Sequence, residues 1–318
     1  MTLNEIALKL LKYKNVLIFS HSRPDGDTIG SSIALKMAFE KKSIKADIVC
    51  DYQEMPRGLE ILKGVSEIKK PSEIYGDYDA VIAVDCSVPS VFGSSYAIFE
   101  SYKNTFCIDH HISNSNYAKY SFVEESGACA EIIYKLICEM QVEIDAFIAN
   151  SLLLGIVTDT GAFAHNNVSS NTLIIASKLL ENGGNLHNII KKTFKSQSKE
   201  RAKLHAKVMS GLRYYLDGQV AVIITTKELL NECNATGVMT EGFIDFPLSI
   251  DGVEVAISLL EINDKKYKIS FRSKGNVNVN EIASIYGGGG HVLASGAMLN
   301  GYLEDIIDKL VYNVKQRI

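Results

Sequence analysis

The chain has 318 residues, 47% of them hydrophobic, and a formal net charge of −4. That is material for roughly two domain cores and far too apolar for disorder. No apolar run reaches the roughly 18 residues of a membrane span, and the acidic balance argues against an enzyme that tracks long nucleic acid by neutralising phosphates, though not against a small phosphorylated ligand.

The opening "MTLNEIALKLLKYKN" reads as a short amphipathic helix. It lacks the basic start, apolar middle and small-residue cleavage site of a secretion signal, so a cytoplasmic location is expected. The runs "NVLIFS", "ADIVC", "DAVIAVD" and "TFCID" are short, β-rich and bounded by turns. Between them "TIGSSIALKMAFEKK" and "GACAEIIYKLICEM" place apolar residues at helical spacing. This alternation predicts an α/β fold, a mostly parallel sheet with helices on both faces. "SLLLGIV" reads as the end of a helix that starts near Asp145, and "SSNTLIIASKLLENGGN" as a helix with serines at its start and glycines at its stop. The basic stretch "IIKKTFKSQSKERAKLHAKV" reads as a helical connector. Of the runs that follow, "VEVAISLLEIND" and "KYKISFRSK" flank a turn at Asn263–Asp264 and predict an antiparallel hairpin. The expected organisation is a first domain over 1–185, a connector over 186–205 and a smaller α+β domain over 206–318. The 6 cysteines form no CxxC pair and read as buried, reduced thiols.

The chemistry lies where apolar runs stop. Phe19 leads to His21, Asp25 and Asp27; Val84 to Asp85; Ile108 to Asp109, His110 and His111; Val157 to Asp159. Strand ends in a parallel sheet share one edge, where ligands bind. Taken alone, Asp27 reads equally as a cap of a helix starting at Thr28, and Asp85 as an ordinary strand-end aspartate. Together these side chains form a cluster whose carboxylates repel unless they bind protons or cations. Carboxylate and imidazole donors suit Mn²⁺ best, with Mg²⁺, Co²⁺, Fe²⁺ or Zn²⁺ compatible, and two such ions would serve in-line attack on phosphorus.

The chain resembles the DHH phosphoesterase superfamily over nearly its whole length. "HSRPDGDTIGS", "VDCS", "IDHH" and "GIVTDTGAF" are similar to its four motifs, and "FRSKGNVNVNEIASIYGGGGHVLASG" to the accessory DHHA1 domain. Within the superfamily the likeness is to the bacterial nanoRNase and pAp-phosphatase group, with standalone cyclic-dinucleotide phosphodiesterases next. The resemblance implies that His21 and Asp25 hold one ion, that Asp27, His110 and Asp159 hold the other, and that Asp85 bridges both. It implies that His111 donates to the scissile phosphate or the leaving group, and that Asp109 orients a ligand histidine. Val292 stands after His291 where the family usually carries lysine.

Four glycines in "YGGGGH" let backbone N–H groups approach a phosphate or base closely. The segment is expected to be a tight loop opening a helix, an anion site. Arg272, which reads equally as a solvated strand residue, could fork onto a terminal phosphate. With the resemblance, Arg272, Gly288, Gly289, Gly290 and His291 are the expected substrate-binding residues. His165, His187 and His205 read as surface or packing residues. The expected activity is two-metal hydrolysis of short 5′-phosphorylated oligonucleotides such as pApA, and of pAp, in a cleft between two domains, with no long nucleic acid and no membrane as partner. Cyclic di-AMP hydrolysis, an inorganic pyrophosphatase and a noncatalytic nucleotide sensor are the alternatives. A homodimer is implied by resemblance only.

Overall fold

The computed structural model describes residues 1–56 and 58–318. Met1–Ser196 form one unit and Gln197–Ile318 a second. In chain order the first unit contains α1 (Leu3–Leu10), β1 (Asn15–Phe19), α2 (Gly26–Lys41), β2 (Lys45–Val49), β3 (Ala80–Val84), α3 (Tyr96–Glu100), β4 (Thr105–Asp109), β5 (Tyr120–Val123), α4 (Cys129–Glu139), α5 (Ala146–Asp159), α6 (Ser170–Glu181) and α7 (Leu186–Thr193). Its sheet runs β2-β1-β3-β4-β5, every neighbour parallel. Alternate residues of β1 and β3 feed two cores: Val16, Ile18, Ile82 and Val84 face a helical core with residues of α1, α2, α4 and α5, whereas Leu17, Phe19, Val81 and Ala83 face Phe92 and Phe99. Because both faces are covered, these strands read as unbroken apolar runs. The first helix begins as expected, with a capping box between Thr2 and Glu5.

Two glycines determine how α2 and α5 meet. A Cβ on Gly30 would run into the carbonyl oxygen of Ser151, and one on Gly155 would lie 2.7 Å from Asp27 Oδ1 and 2.8 Å from the Ala130 methyl. The helices therefore approach more closely than side chains would allow, and α2 brings its first turn against the last turns of α5.

The second unit contains α8 (Lys199–Ser210), β6 (Arg213–Tyr215), β7 (Val220–Thr225), α9 (Lys227–Glu232), α10 (Asp245–Ser249), β8 (Val255–Asn263), β9 (Lys266–Ser273), α11 (Val279–Ile285), β10 (Gly289–Gly290), β11 (Ala294–Asn300) and α12 (Leu303–Lys315). The sheet order is β10-β11-β9-β8-β7-β6, antiparallel except for β7 on β8. Residues of α11 and α12 share a core with β7, β8, β9 and β11, centred on Ile257, Ile269, Phe271 and Leu310.

Two expectations meet a different structure. The stretch 186–205 is not one connector: α7 belongs to the first unit and α8 to the second. The glycine run opens no helix. Gly289 pairs with Gly296 and Gly290 with Ser295, so the run is one arm of a hairpin whose other arm is β11. Burial in β11 alternates, as a strand requires and a helix forbids. Among the described residues no helix is long and apolar enough to cross a membrane.

Candidate metal centre

The parallel sheet brings the ends of β1, β3 and β4 to one edge, and α2 and α5 deliver two more acids there. Asp25, not Asp27, caps α2: its Oδ1 accepts from the amides of Asp27 at 2.9 Å and Thr28 at 3.0 Å. Its other oxygen lies 3.7 Å from His21 Nε2. Asp27 is in the first helical turn and buried. Its Oδ1 accepts from Ser31 Oγ at 3.1 Å and the Ala130 amide at 2.9 Å, and its Oδ2 from the Cys129 amide at 2.6 Å. Ala128, at the N-cap of α4, supplies no capping side chain. Asp27 takes that role from another helix, where a carboxylate also faces the positive end of the macrodipole.

Asp85 follows β3 with a left-handed backbone, φ +59, a conformation aspartate tolerates better than most residues. The turn aims its carboxylate inward, where it is 3% exposed. Oδ2 lies 3.7 Å from His21 Nε2; Oδ1 lies 3.5 Å from both His110 Nε2 and His111 Nδ1. Buried Oδ1 has no hydrogen-bond partner among the described residues. An orphaned buried carboxylate oxygen costs far too much to be decorative, and it is the donor a cation needs.

The histidines are oriented from behind. His110 Nδ1 lies 3.0 Å from the carbonyl of Ser126, which fixes that nitrogen as the N–H and presents Nε2 to Asp85 and, at 3.8 Å, to Asp159. His111 Nδ1 donates to Asp109 Oδ1 at 2.8 Å. Fully buried Asp109 also accepts from the His110 amide at 2.9 Å and from Asn114 Nδ2 at 2.6 Å. Burial pushes the Asp109 carboxyl up, but the bonds from His111 and Asn114 outweigh it and hold it below the usual range. His111 keeps 41% of its side chain exposed, leaving Nε2 available.

Electrostatics mark the cluster as cation-seeking. Burial drives Asp27 well above the ordinary carboxylate value, and the charges of Asp85 and Asp159 add to it. Burial likewise pushes Asp159 up to about 6. Burial pulls His21 down, yet Asp25 and Asp85 outweigh it and hold the ring up to about 10. Among the described residues, three groups have donor atoms within 4.8 Å of one another: His21, Asp25 and Asp85; Asp27, His110 and Asp159; Asp85, His110 and His111. Each donor set is oxygen and nitrogen. The neighbouring thiols of Cys86, Cys107 and Cys129 are buried and pushed up, so no thiolate competes. These residues fit hard or borderline divalent ions.

The second group of expected residues lies together in the second unit. Arg272 on β9 pairs with Ala294 on β11, and the amides of His291 and Ala294 bond to each other's carbonyls. Among the described residues Arg272 donates to no acidic side chain; it donates to the carbonyl of Phe271 at 3.0 Å. His205 packs its ring on Phe243, centroids 4.8 Å apart. His165, read as a surface or packing residue, is exposed, and its ring Nδ1 lies 3.3 Å from the carbonyl oxygen of Asp159; Asn167, which sequence reasoning missed, brings its amide nitrogen to 3.2 Å from the same oxygen. No motif announces them, because both act on main-chain oxygens.

Known proteins resemble this chain over nearly its whole length. Residues 15–156 match the DHH family, N-terminal domain, and residues 218–318 match the DHHA1 domain. The probable bifunctional oligoribonuclease and PAP phosphatase NrnA of Streptococcus mutans is 31% identical over 319 residues, covering 96% of each chain. The bifunctional oligoribonuclease and PAP phosphatase NrnA of Thermus thermophilus is also 31% identical, over 95% of this chain and 90% of its own. The crystal structure of an exopolyphosphatase-related protein from Bacteroides fragilis superposes with a TM-score of 0.91 at 26% identity, covering 99% of this chain and 96% of the other.

Proposed function

This chain belongs to the DHH family and carries a DHHA1 domain, and on that footing we propose that it is a metal-dependent phosphoesterase that hydrolyses short 5′-phosphorylated oligonucleotides, and pAp, to nucleoside monophosphates. The observation that carries the reading is the buried, unpartnered Asp85 Oδ1 between His110 and His111, ringed by Asp25, Asp27 and Asp159. His21, Asp25 and Asp85 would hold one divalent cation, and Asp27, His110 and Asp159 the second, with Asp85 between them; Mn²⁺ suits this donor set best. Bound there, the cations would offset charge on the phosphoryl oxygens and raise the acidity of water.

The chain's own groups supply the rest. Asp109 accepts from His111 Nδ1 and holds the ring above its ordinary value, which favours the imidazolium, and the proton on its Nε2 is the one available to a phosphoryl or departing oxygen. Asn114 keeps Asp109 ionised and in place. Arg272, with no acidic partner among the described residues, is suited to a bidentate grip on a terminal phosphate. The amides of Gly288 and His291 are spent on the carbonyls of Ala283 and Ala294, so what the arm Gly289–Gly290 would offer a ligand is close approach to a surface without side chains. The net charge of −4 favours a short substrate over a long strand.

One substrate panel tests this: pApA, pAp, cyclic di-AMP, a long single strand and pyrophosphate, each with Mn²⁺. Turnover of pApA and pAp well ahead of the others is expected. Preferred turnover of cyclic di-AMP or of the long strand would refute the substrate class, and silence on every compound would leave a nucleotide sensor.

A further inference from the structure

After Asp159 the chain leaves α5 through three successive left-handed residues, Gly161, Ala162 and Phe163, at φ 55, 58 and 66. That backbone is rare for alanine and phenylalanine and persists only where surrounding contacts over-determine it. Here it folds the chain back so that His165 and Asn167 both donate to the Asp159 carbonyl. The His165 ring lies over Gly161, where any Cβ would strike it.

Asn167 does more than His165. Its Nδ2 also donates to the carbonyl of Gly127 at 2.9 Å. Both partners are carbonyl oxygens, so only the nitrogen of the amide can face them. Gly127 follows Ser126, whose carbonyl orients His110. There is no slack around Gly127: a Cβ would stand 2.6 Å from Glu131 Oε1 and 3.0 Å from Thr172 Oγ1. Buried Glu131 is itself held by Thr172 Oγ1 at 2.8 Å. One amide nitrogen therefore ties the main chain of Asp159 to the main chain beside the carbonyl that aims His110, and the two side chains face each other at 3.8 Å.

We propose that Asn167 is a positioning residue that sets the spacing of the Asp27–His110–Asp159 cation pocket by clipping the end of α5 to the segment before α4. It rests on the metal-dependent reading above. Loss of such outer support typically weakens metal binding about 10–100-fold. Asn167→Asp places an oxygen against both carbonyls, and Asn167→Ala removes the clip without adding charge. Purified metal-free wild type and both variants are titrated calorimetrically with MnCl₂, and the spin-coupled signal of a manganese pair is followed by electron paramagnetic resonance.

The expected result is that one of two Mn²⁺ binding steps weakens about 10–100-fold in both variants while the other holds. The pair signal then fades at two equivalents and returns with excess metal. Two unchanged steps would overturn the proposal, as would loss of both steps together with a fall in the metal-free melting temperature, which assigns Asn167 to folding. A wild type that binds no Mn²⁺ overturns it differently, by removing the metal reading on which it stands.

Discussion

The sharpest consequence of the site's electrostatics is that cations and protons compete for it. Without metal, Asp25, Asp27, Asp85 and Asp159 crowd around His21 and His110, and the His21 ring is held up to about 10 against an ordinary value of 6.5. A ligand imidazole must be neutral, so at neutral pH each cation that takes His21 displaces its proton. One displaced proton makes affinity rise tenfold per pH unit, about 1.4 kcal/mol. Between pH 6.5 and 8 that is roughly 30-fold, or about 2 kcal/mol. The same shift has a sign for stability. Because the folded-state value of His21 is raised, the metal-free fold has this contribution in full below pH 6.5 and loses it as pH rises through about 10. Asp159, raised from 3.8 to about 6, acts in the same direction over that lower window. Calorimetric Mn²⁺ titrations in two buffers of different ionisation enthalpy count the protons released, and melting curves follow the metal-free protein. Affinity that is flat across this range, or a metal-free protein that grows more stable between pH 6.5 and 9, would refute the reasoning.

Three further outcomes follow from named contacts. Asp85→Asn keeps a residue that tolerates left-handed backbone, so the metal-free circular dichroism should hold while turnover falls by at least about 100-fold; retained turnover would remove Asp85 from its place between the two ions. Gly155→Ala forces a methyl against Asp27 and Ala130, which should destabilise by about 1–3 kcal/mol, roughly 2–4 °C in melting temperature per kcal/mol, and weaken Mn²⁺ binding with it. An unmoved melting temperature would show that the helices separate freely. Arg272→Ala should remove a charge-assisted bond of about 1.5–3 kcal/mol, raising KM for pAp by roughly 10- to 150-fold with kcat little changed. A fall in kcat at constant KM would place Arg272 at the reacting phosphate instead.

What could be read from the chain alone follows the physics of each element. β1, β3 and β4 were legible because burial on both faces makes an apolar run of strand length, and α5 because Asp145 caps it with bonds to the amides of Phe147 and Ile148. β5 was missed because an edge strand needs little apolar content, and Tyr120–Val123 is only half buried. The glycine run misled because glycine is compatible with a helix-opening loop and with a hairpin alike, and only the pairing of Gly289 with Gly296 decides. Which acid caps α2 depended on two residues of register, and DxD spacing does not carry it. Asn167 was invisible, as was the contact that His165 makes, because the oxygen both hold belongs to the backbone, and the turn that returns them to it violates the ordinary preferences of Ala162 and Phe163.

The bonds around Asp27 have a further reach. With Oδ1 already engaged by Ser31 and Ala130, and Oδ2 by Cys129, this carboxylate stays fastened to its neighbouring helix whether or not anything else occupies the pocket. A chelator should therefore empty the centre without dismantling its walls, and a different ion could be loaded afterwards into the same mould. Comparative enzymology across a metal series thus becomes practical on one stock of purified protein, with the choice of ion as the only variable.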